Sequence, residues 1–465
     1  MSGSFGAQVV LDPASPAALG ARGGAASTIH GNTVARDLGL ISNGLDPLLT
    51  AGPPNTVVPC SLNFMRPGWL DPGVTFTRAS TATYTDSTGT IQTAAINAPR
   101  WDYAGGSLRG LLIEEARINL LFPSVLSGPN WLAVNSIVLG GSVTLPDGAV
   151  SATALLAATD TANTVRLFYR AGTAISASTA YVVSVYLRAS PKNAYIQIDL
   201  AGGTGNVGIA YFDLTAGTGV VGTDLAGSVA GKSVSVVPVA NGWYRCSFAL
   251  TTGVGNTTLQ VAIGPCTIVS ASGDNRSYIG VIGQGVYAWG AQVEQGAFPT
   301  STIVTTSAAV TRAQEIMTIP TNVSWYSGTA GTIMVAALMP PNGNNGYRGL
   351  YSLDAGGSGT WHRVYTLTGS ASLHGDINAA GLAIGTVVPG TPFKTAVSYD
   401  AAGSDSVLGG VAGSSTATVS TPASFTTLRL GIADVIPANF LNGYLRSVQY
   451  WPRRLSISEM LGVTI

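Results

Sequence analysis

The chain has 465 residues, 22 basic and 22 acidic side chains and a formal net charge of zero. Charged residues make up only 9% of it, against roughly 25% in an average soluble protein. That balance excludes phosphate-driven nucleic-acid binding and a basic tail for a membrane surface. Such a surface must be built from Thr, Ser, Asn, Ala and the 59 glycines, a composition suited to strands and tight turns.

Residues 1–60 differ from the rest. PASPAALGARGGAAS and TAGPPNTVVP are rich in Ala, Gly and Pro and show no sustained period of two, which predicts irregular, extended chain. Such an arm is expected to need a neighbour to hold it, so it is assigned as an anchor. The N-terminus lacks the basic stretch and apolar core of a signal peptide. No apolar run reaches the ~18–20 residues that span a bilayer, so no membrane insertion is expected.

Residues 61–122 follow as a small β linker. In VTFTRASTATYTD, Val74, Phe76, Arg78, Ser80, Ala82 and Tyr84 fall on one face and a row of threonines on the other, predicting one half-buried strand. Asp86-Ser87-Thr88-Gly89 supplies a turn. Arg78 lies on the mainly apolar face and needs a carboxylate, with Glu114 and Glu115 as the acidic candidates.

Residues 123–310 alternate short strands with Gly-rich turns. Tyr181, Val183, Val185, Leu187 and Ala189 share a face, as do Ile196, Ile198 and Leu200, and Tyr244, Cys246, Phe248 and Leu250. In VYAWGAQVE the same alternation groups Tyr287, Trp289, Ala291 and Val293 as the core face, with Glu294 on the other. Regular strands without helical periods between them predict an antiparallel sandwich or jelly roll. In residues 311–465 the alternation continues with a different order of strands, and GTIMVAALM, GLYSLDA, FKTAVSYD, TLRLGIA and NGYLRSVQYW read as strands. Ser456-Ile457-Ser458-Glu459 then has the spacing of a capping box that starts one short helix.

Candidate chemistry is sparse. Cys60, Cys246 and Cys266 fit no zinc or redox spacing, and Cys246 reads as a small core residue. His30, His362 and His374 are the three histidines, with no nucleophile elbow and no paired-histidine zinc helix beside them. Glycoside hydrolysis needs two carboxylates aimed at one bond. Glu294, near the end of its strand, reads as a structural partner for an arginine or a backbone group, ahead of a sugar contact or a catalytic acid. Neutral sugars, in contrast, are held by aromatic faces with amides, hydroxyls and carboxylates around them. Two places offer these groups: the Gly/Asn/Pro loop PPNGNNGYRG with Asn344, Asn345, Tyr347 and Arg348, and the stretches WHRVY and SLHGD with Trp361, His362 and Asp376. These seven are the candidate ligand-binding residues, beside the alternative that the first is a plain exposed loop. No catalytic residue, cofactor or metal is assigned, although Asp354, Asp376 and Asp434 lie near strand ends.

TFTRASTATYTDSTG, RWDY and LRGLLIEEARINLL resemble a linker segment of phage structural proteins. GWYRCSF, followed by VYAWGAQVEQGAFPTSTIVTTSAAVTRAQE, resembles the jelly-roll domain of phage head-spike and fibre proteins. LNGYLRSVQYWPRRLSISEML is similar to the last strand and helix of concanavalin A-like, laminin G-like sandwiches in phage fibres. The resemblance spans about residues 70–465 and departs where Ile118 replaces the family's Thr. It brings no catalytic residue. It implies an all-β chain: extended arm, β linker, jelly-roll sandwich with a carbohydrate-binding-like fold, and concanavalin A-like lectin domain. It further implies a non-enzymatic head spike or fibre on the virion surface. Residues 1–60 would meet capsid or tail proteins, and the chain would form a homo-oligomer, trimer or pentamer. The outer sandwiches would bind host-surface polysaccharide, with low salt dependence and with avidity from several copies. The alternatives are a virion-associated depolymerase and a decoration protein without a glycan ligand.

Overall fold

The computed structural model describes residues 60–465 apart from 127–129, 140–142, 152–154, 203–204, 322–324, 341–346, 356–360, 368–369, 378–379, 418–424 and 435–438. The expected anchoring arm, residues 1–60, lies outside them except for Cys60. The described chain is all-β with antiparallel sheets and a short C-terminal helix.

The first sandwich pairs two six-stranded sheets. One has the order Ala230–Pro238, Tyr244–Thr251, Ala180–Ser190, Gly285–Gln295, Leu155–Ala158, Ser136–Leu139. The other runs Thr218–Val221, Asn206–Asp213, Asn193–Ala201, Thr258–Cys266, Leu167–Ala174, Leu132–Val134. The three apolar faces expected from alternation meet between the sheets: Val183, Val185 and Leu187 pack with Ile196, Ile198, Cys246, Phe248 and Leu250. Burial alone raises the Cys246 thiol far above its usual range, as expected of a core cysteine.

The strand Gly285–Gln295 departs from simple alternation. Ser184 pairs with Gln292 but Tyr186 pairs with Trp289, so one extra residue is inserted opposite Val185. Gly290 absorbs it at φ +66°, a left-handed conformation that costs most side chains about 1–2 kcal/mol. The bulge splits the expected face. Ala291 and Val293 stay in the core with Val286 and Ala288. Tyr287 and Trp289 turn outward instead, where Trp289 packs on Tyr186 (ring centroids 5.4 Å) and Tyr287 on Trp243 (6.3 Å). Ile91, Val143 and Leu145 close over them. A Gly290→Ala chain is expected to lose about 1–2 kcal/mol in urea unfolding, because the new Cβ is left-handed and 3.1 Å from the Tyr186 ring. An unchanged midpoint would mean that the bulge relaxes without cost.

The second sandwich uses more of the chain than residues 311–465. Its eight-stranded sheet runs Val411–Ala417, Gly403–Leu408, Pro392–Asp400, Gly331–Leu338, Gly443–Trp451, Ser107–Ile113, Trp101–Ala104, with Cys60–Asn63 also pairing with Gly443–Trp451. Its seven-stranded sheet runs Thr75–Thr77, Ile316–Pro320, Thr427–Leu430, Arg348–Asp354, Trp361–Thr366, Ser372–Ile377, Ala380–Thr386. The expected linker, residues 61–122, is therefore divided: most of its strands complete these two sheets, and Leu62, Phe64, Phe76, Leu111 and Ile113 enter their shared core. The expected long strand at 74–85 is also two strands. Thr75–Thr77 pairs with Ile316–Pro320, while Ala82–Thr85 forms a hairpin with Ile91–Ala94. Between them the Arg78 side chain donates to Ser80 O, Ala98 O and Ala95 O, holding the chain away from either ladder.

The helix Ile457–Thr464 starts at the expected capping box, with Ser456 as N-cap and Glu459 returning the bond. Met460 and Leu455 pack on Met334, Ala396, Val407 and Trp451. This covers the outer face of the eight-stranded sheet.

Candidate functional site

The outward face of the seven-stranded sheet is set by the alternation in Trp361–Thr366. Trp361, Arg363 and Tyr365 are half-buried and point out; His362, Val364 and Thr366 are buried and point in. The next strand adds His374 and Asp376 to the same face, because Tyr365 pairs with His374 and Arg363 with Asp376.

These side chains form a linked row. The Arg363 guanidinium lies 4.2 Å from the Trp361 ring centroid and 5.0 Å from that of Tyr365. It donates through Nε and Nη2 to Asp376 Oδ2, at 2.9 and 2.8 Å, and Tyr365 Oη donates to the same oxygen at 3.0 Å. Asp434 lies 3.9 Å from Arg363 Nη1. Burial first, and the Asp376 charge second, push the Tyr365 hydroxyl up to about 12, so it stays a donor at neutral pH. Tyr347, 46% exposed, meets the edge of Tyr365 with ring centroids 5.5 Å apart. Deeper on the face, Asp354 accepts from Arg429 Nε at 2.7 Å. The result is a strip of aromatic surface around a fixed donor–acceptor group, the two elements needed for a sugar ring and its hydroxyls.

Three of the seven residues expected from sequence thus come together: Tyr347, Trp361 and Asp376. Asn344 and Asn345 lie outside the described residues. Arg348 and His362 do not face the strip. Arg348 is 3% exposed, and its guanidinium lies 5.2 Å from the Phe298 ring. Burial lowers it to about 10, against the opposing charge of Glu115. A bulge between Gly349 and Tyr351 puts it on the inner side. His362 is fully buried, with Nε2 3.2 Å from Tyr351 Oη and its ring 4.7 Å from that of Tyr399. Burial lowers it to about 3, so it is a neutral core residue. Neighbours on one strand point to opposite faces, so Trp361 and His362 could not both contact one ligand. The same rule would have found Arg363 and Tyr365, which follow Trp361 at steps of two.

The three buried glutamates among the described residues are all engaged. Glu294 is fully buried; it accepts from Thr300 N at 3.0 Å, Thr300 Oγ1 at 2.5 Å and Gln292 Nε2 at 2.5 Å, which pins the turn after its strand. Arg78 finds Glu315, at 2.9 Å, in place of the expected Glu114 or Glu115. Glu114 instead serves Arg100 at 2.8 Å and Arg312 at 3.3 Å. Among the described residues no group of three or more His, Cys, Asp or Glu side chains could hold a metal ion. No helix among them is long and apolar enough to cross a membrane.

No protein-family model and no curated protein matches the chain. Solved structures do. The Ruminococcus gnavus IT-sialidase CBM40 bound to alpha2,3 sialyllactose is 17% identical, with 30% of this chain and 84% of that one covered and a TM-score of 0.27. A mutant Trypanosoma rangeli sialidase displaying trans-sialidase activity is 10% identical, over 66% of this chain and 59% of that one, at a TM-score of 0.27. Domains LG4-5 of the mouse laminin alpha1 chain are 11% identical, over 64% and 90%, at 0.21. Likenesses this low in TM-score and identity say nothing of what this chain binds.

Proposed function

We propose that this protein is a virion-surface spike or fibre subunit whose outer sandwich holds a host-surface polysaccharide on the strip of Trp361, Arg363, Tyr365 and Asp376. The observation that carries the reading is that row itself. Aromatic side chains lie open on a sheet face whose polar groups are already fixed by one another, so a sugar ring can dock without ordering them first. The phage assignment rests on the sequence resemblance of residues 70–465. In this reading residues 1–60 anchor the chain to capsid or tail proteins, and symmetric copies add avidity to a weak single site. The engagement of Glu114, Glu294 and Glu315 by arginines or backbone donors supports reading the protein as a binder.

The test uses the whole chain, since residues 60–113 complete both sheets of the outer sandwich. Retention is measured on immobilised host-surface polysaccharide, and the eluate is assayed for chain shortening. Trp361→Ala should weaken retention at least tenfold, about 1.4 kcal/mol, with the fold unchanged by circular dichroism. Equal retention of the variant would remove the strip from consideration. Shortening of the polymer would make the protein a depolymerase, and no retention at all would favour a decoration protein.

A further inference from the structure

A second place in the molecule has the makings of a site, and it is separate from the outward strip. A cleft of about 680 Å³ opens where the two sandwiches meet the hairpins of residues 82–109. That volume is in the range of small-ligand sites, roughly 300–1,000 Å³. Its walls come from three parts of the chain: Tyr186 and Arg245 from the first sandwich, Tyr84, Tyr103 and Arg109 from the hairpins, and Tyr444 from the second sandwich.

Two arginines line this cleft. Ten of the seventeen described arginines sit on carboxylates: Arg78, Arg100, Arg117, Arg166, Arg276, Arg312, Arg363, Arg429, Arg453 and Arg454. Arg109 does not. Its guanidinium stacks 4.3 Å from the Tyr444 ring centroid and makes no ion pair among the described residues. The nearby Asp102 cannot serve it fully, because Oδ1 accepts from Thr85 N at 2.7 Å and Oδ2 from Tyr444 Oη at 2.8 Å. Burial, moreover, raises the Asp102 carboxyl above its usual range. Arg245 stacks 5.6 Å from the Tyr186 centroid, donates through Nη2 to Ser184 Oγ at 3.1 Å, and leaves a buried Nε without a partner. The other carboxylate on the wall, Glu114, is held by Arg100, Arg312 and Ser301.

We infer that this cleft binds an acidic oligosaccharide, with its carboxylates on the guanidiniums of Arg109 and of Arg245 and its ring faces on the tyrosines. A planar guanidinium fork matches a carboxylate bidentately. Its stacking on tyrosine fixes its plane in advance, and tyrosine faces suit the C–H patches of a pyranose. The cleft and the outward strip share no residue, so either can bind without the other.

Calorimetric titration of the whole chain tests it with two acidic probes, an oligogalacturonide and an oligomannuronate, against a neutral galacto-oligosaccharide of equal length. At least one acidic probe should bind at least tenfold more tightly than the neutral one. Arg109→Gln and Arg245→Gln should each cost about tenfold and reduce the salt dependence, and Trp361→Ala should leave this binding unchanged. Melting curves of the variants report their folding. Three results would overturn the assignment: equal binding of acidic and neutral probes, no binding of either acid, or loss on Trp361→Ala with both arginine variants intact.

Discussion

Replacing Glu315 by glutamine should cost about 3–5 kcal/mol, the range for breaking a buried ion pair. Glu315 is fully buried and accepts four bonds: Arg100 Nε and Nη2, both at 2.7 Å, Arg78 Nη1 at 2.9 Å and Glu114 N at 2.9 Å. Arg78, Arg100 and Arg312 are 1%, 0% and 1% exposed, and their ion pairs among the described residues are with Glu114 and Glu315. Glutamine keeps the shape but turns an amide towards guanidinium donors, leaving three buried cations with one carboxylate. The cluster also ties the parts of the molecule together, because Arg100 donates to Thr83 O and Ser301 Oγ while Ser301 donates to Glu114. The comparison is Asp274→Asn, which breaks the part-exposed Arg276 pair and should cost under about 1 kcal/mol. Urea midpoints for the two variants that coincide would mean that the cluster holds nothing. The same cluster predicts acid sensitivity. Burial raises the Glu114 carboxyl, but Arg312 and Arg100 outweigh it and hold it at about 2, below its usual 4.5. A carboxylate lowered on folding contributes fully above 4.5, and that contribution is lost as pH falls towards 2.

Much of this architecture is legible in the sequence because a period of two survives wherever a strand is regular. The faces built on Val183, Ile196 and Phe248 and the capped helix at Ser456 all follow from local pattern. The failures have a common origin. At Gly290 and again at Gly349–Tyr351 a single inserted residue reverses which side chains face the core. A bulge of that kind leaves no mark in alternation beyond a glycine among many. It turns Trp289 outward and Arg348 inward. The division of residues 61–122 is hidden for a different reason. Cys60–Asn63 pairs with Gly443–Trp451 across nearly the whole chain, and no local pattern reports a partner so distant. Arg78 illustrates both sides. Its place on an apolar face announces a buried carboxylate partner, but that partner is Glu315, 237 residues away, and not the expected Glu114 or Glu115. The candidate strip is half legible. Trp361 and Asp376 stand out by residue type alone, while Arg363 and Tyr365 emerge only when strand periodicity is applied to Trp361–Thr366.

His362 should make the second sandwich lose stability between pH 7 and pH 5, before any lowered carboxylate titrates. It is fully buried, and burial is the sole cause that lowers it from 6.5 to about 3. The unfolded chain therefore binds a proton below about 6.5 that the folded chain refuses until about 3. Stability is full above 6.5 and falls as pH drops through that window, by about 1.4 kcal/mol per unit once well below 6.5. Between pH 7 and pH 5 the loss is about 2 kcal/mol. The groups in contact with the ring are Tyr351 and Tyr399, whose hydroxyls are raised well above 10 by burial and stay neutral here. His362→Phe keeps an aromatic ring between those tyrosines and cannot titrate. It should be less stable than the parent at pH 7, since Tyr351 Oη loses its partner at 3.2 Å, yet the gap should close by about 2 kcal/mol at pH 5. Urea midpoints of the two chains at both pH values measure that gap, and every other titrating group cancels in the difference. A gap that stays constant would mean that His362 takes up its proton inside the folded sandwich, with the interior around it wetter than its burial implies.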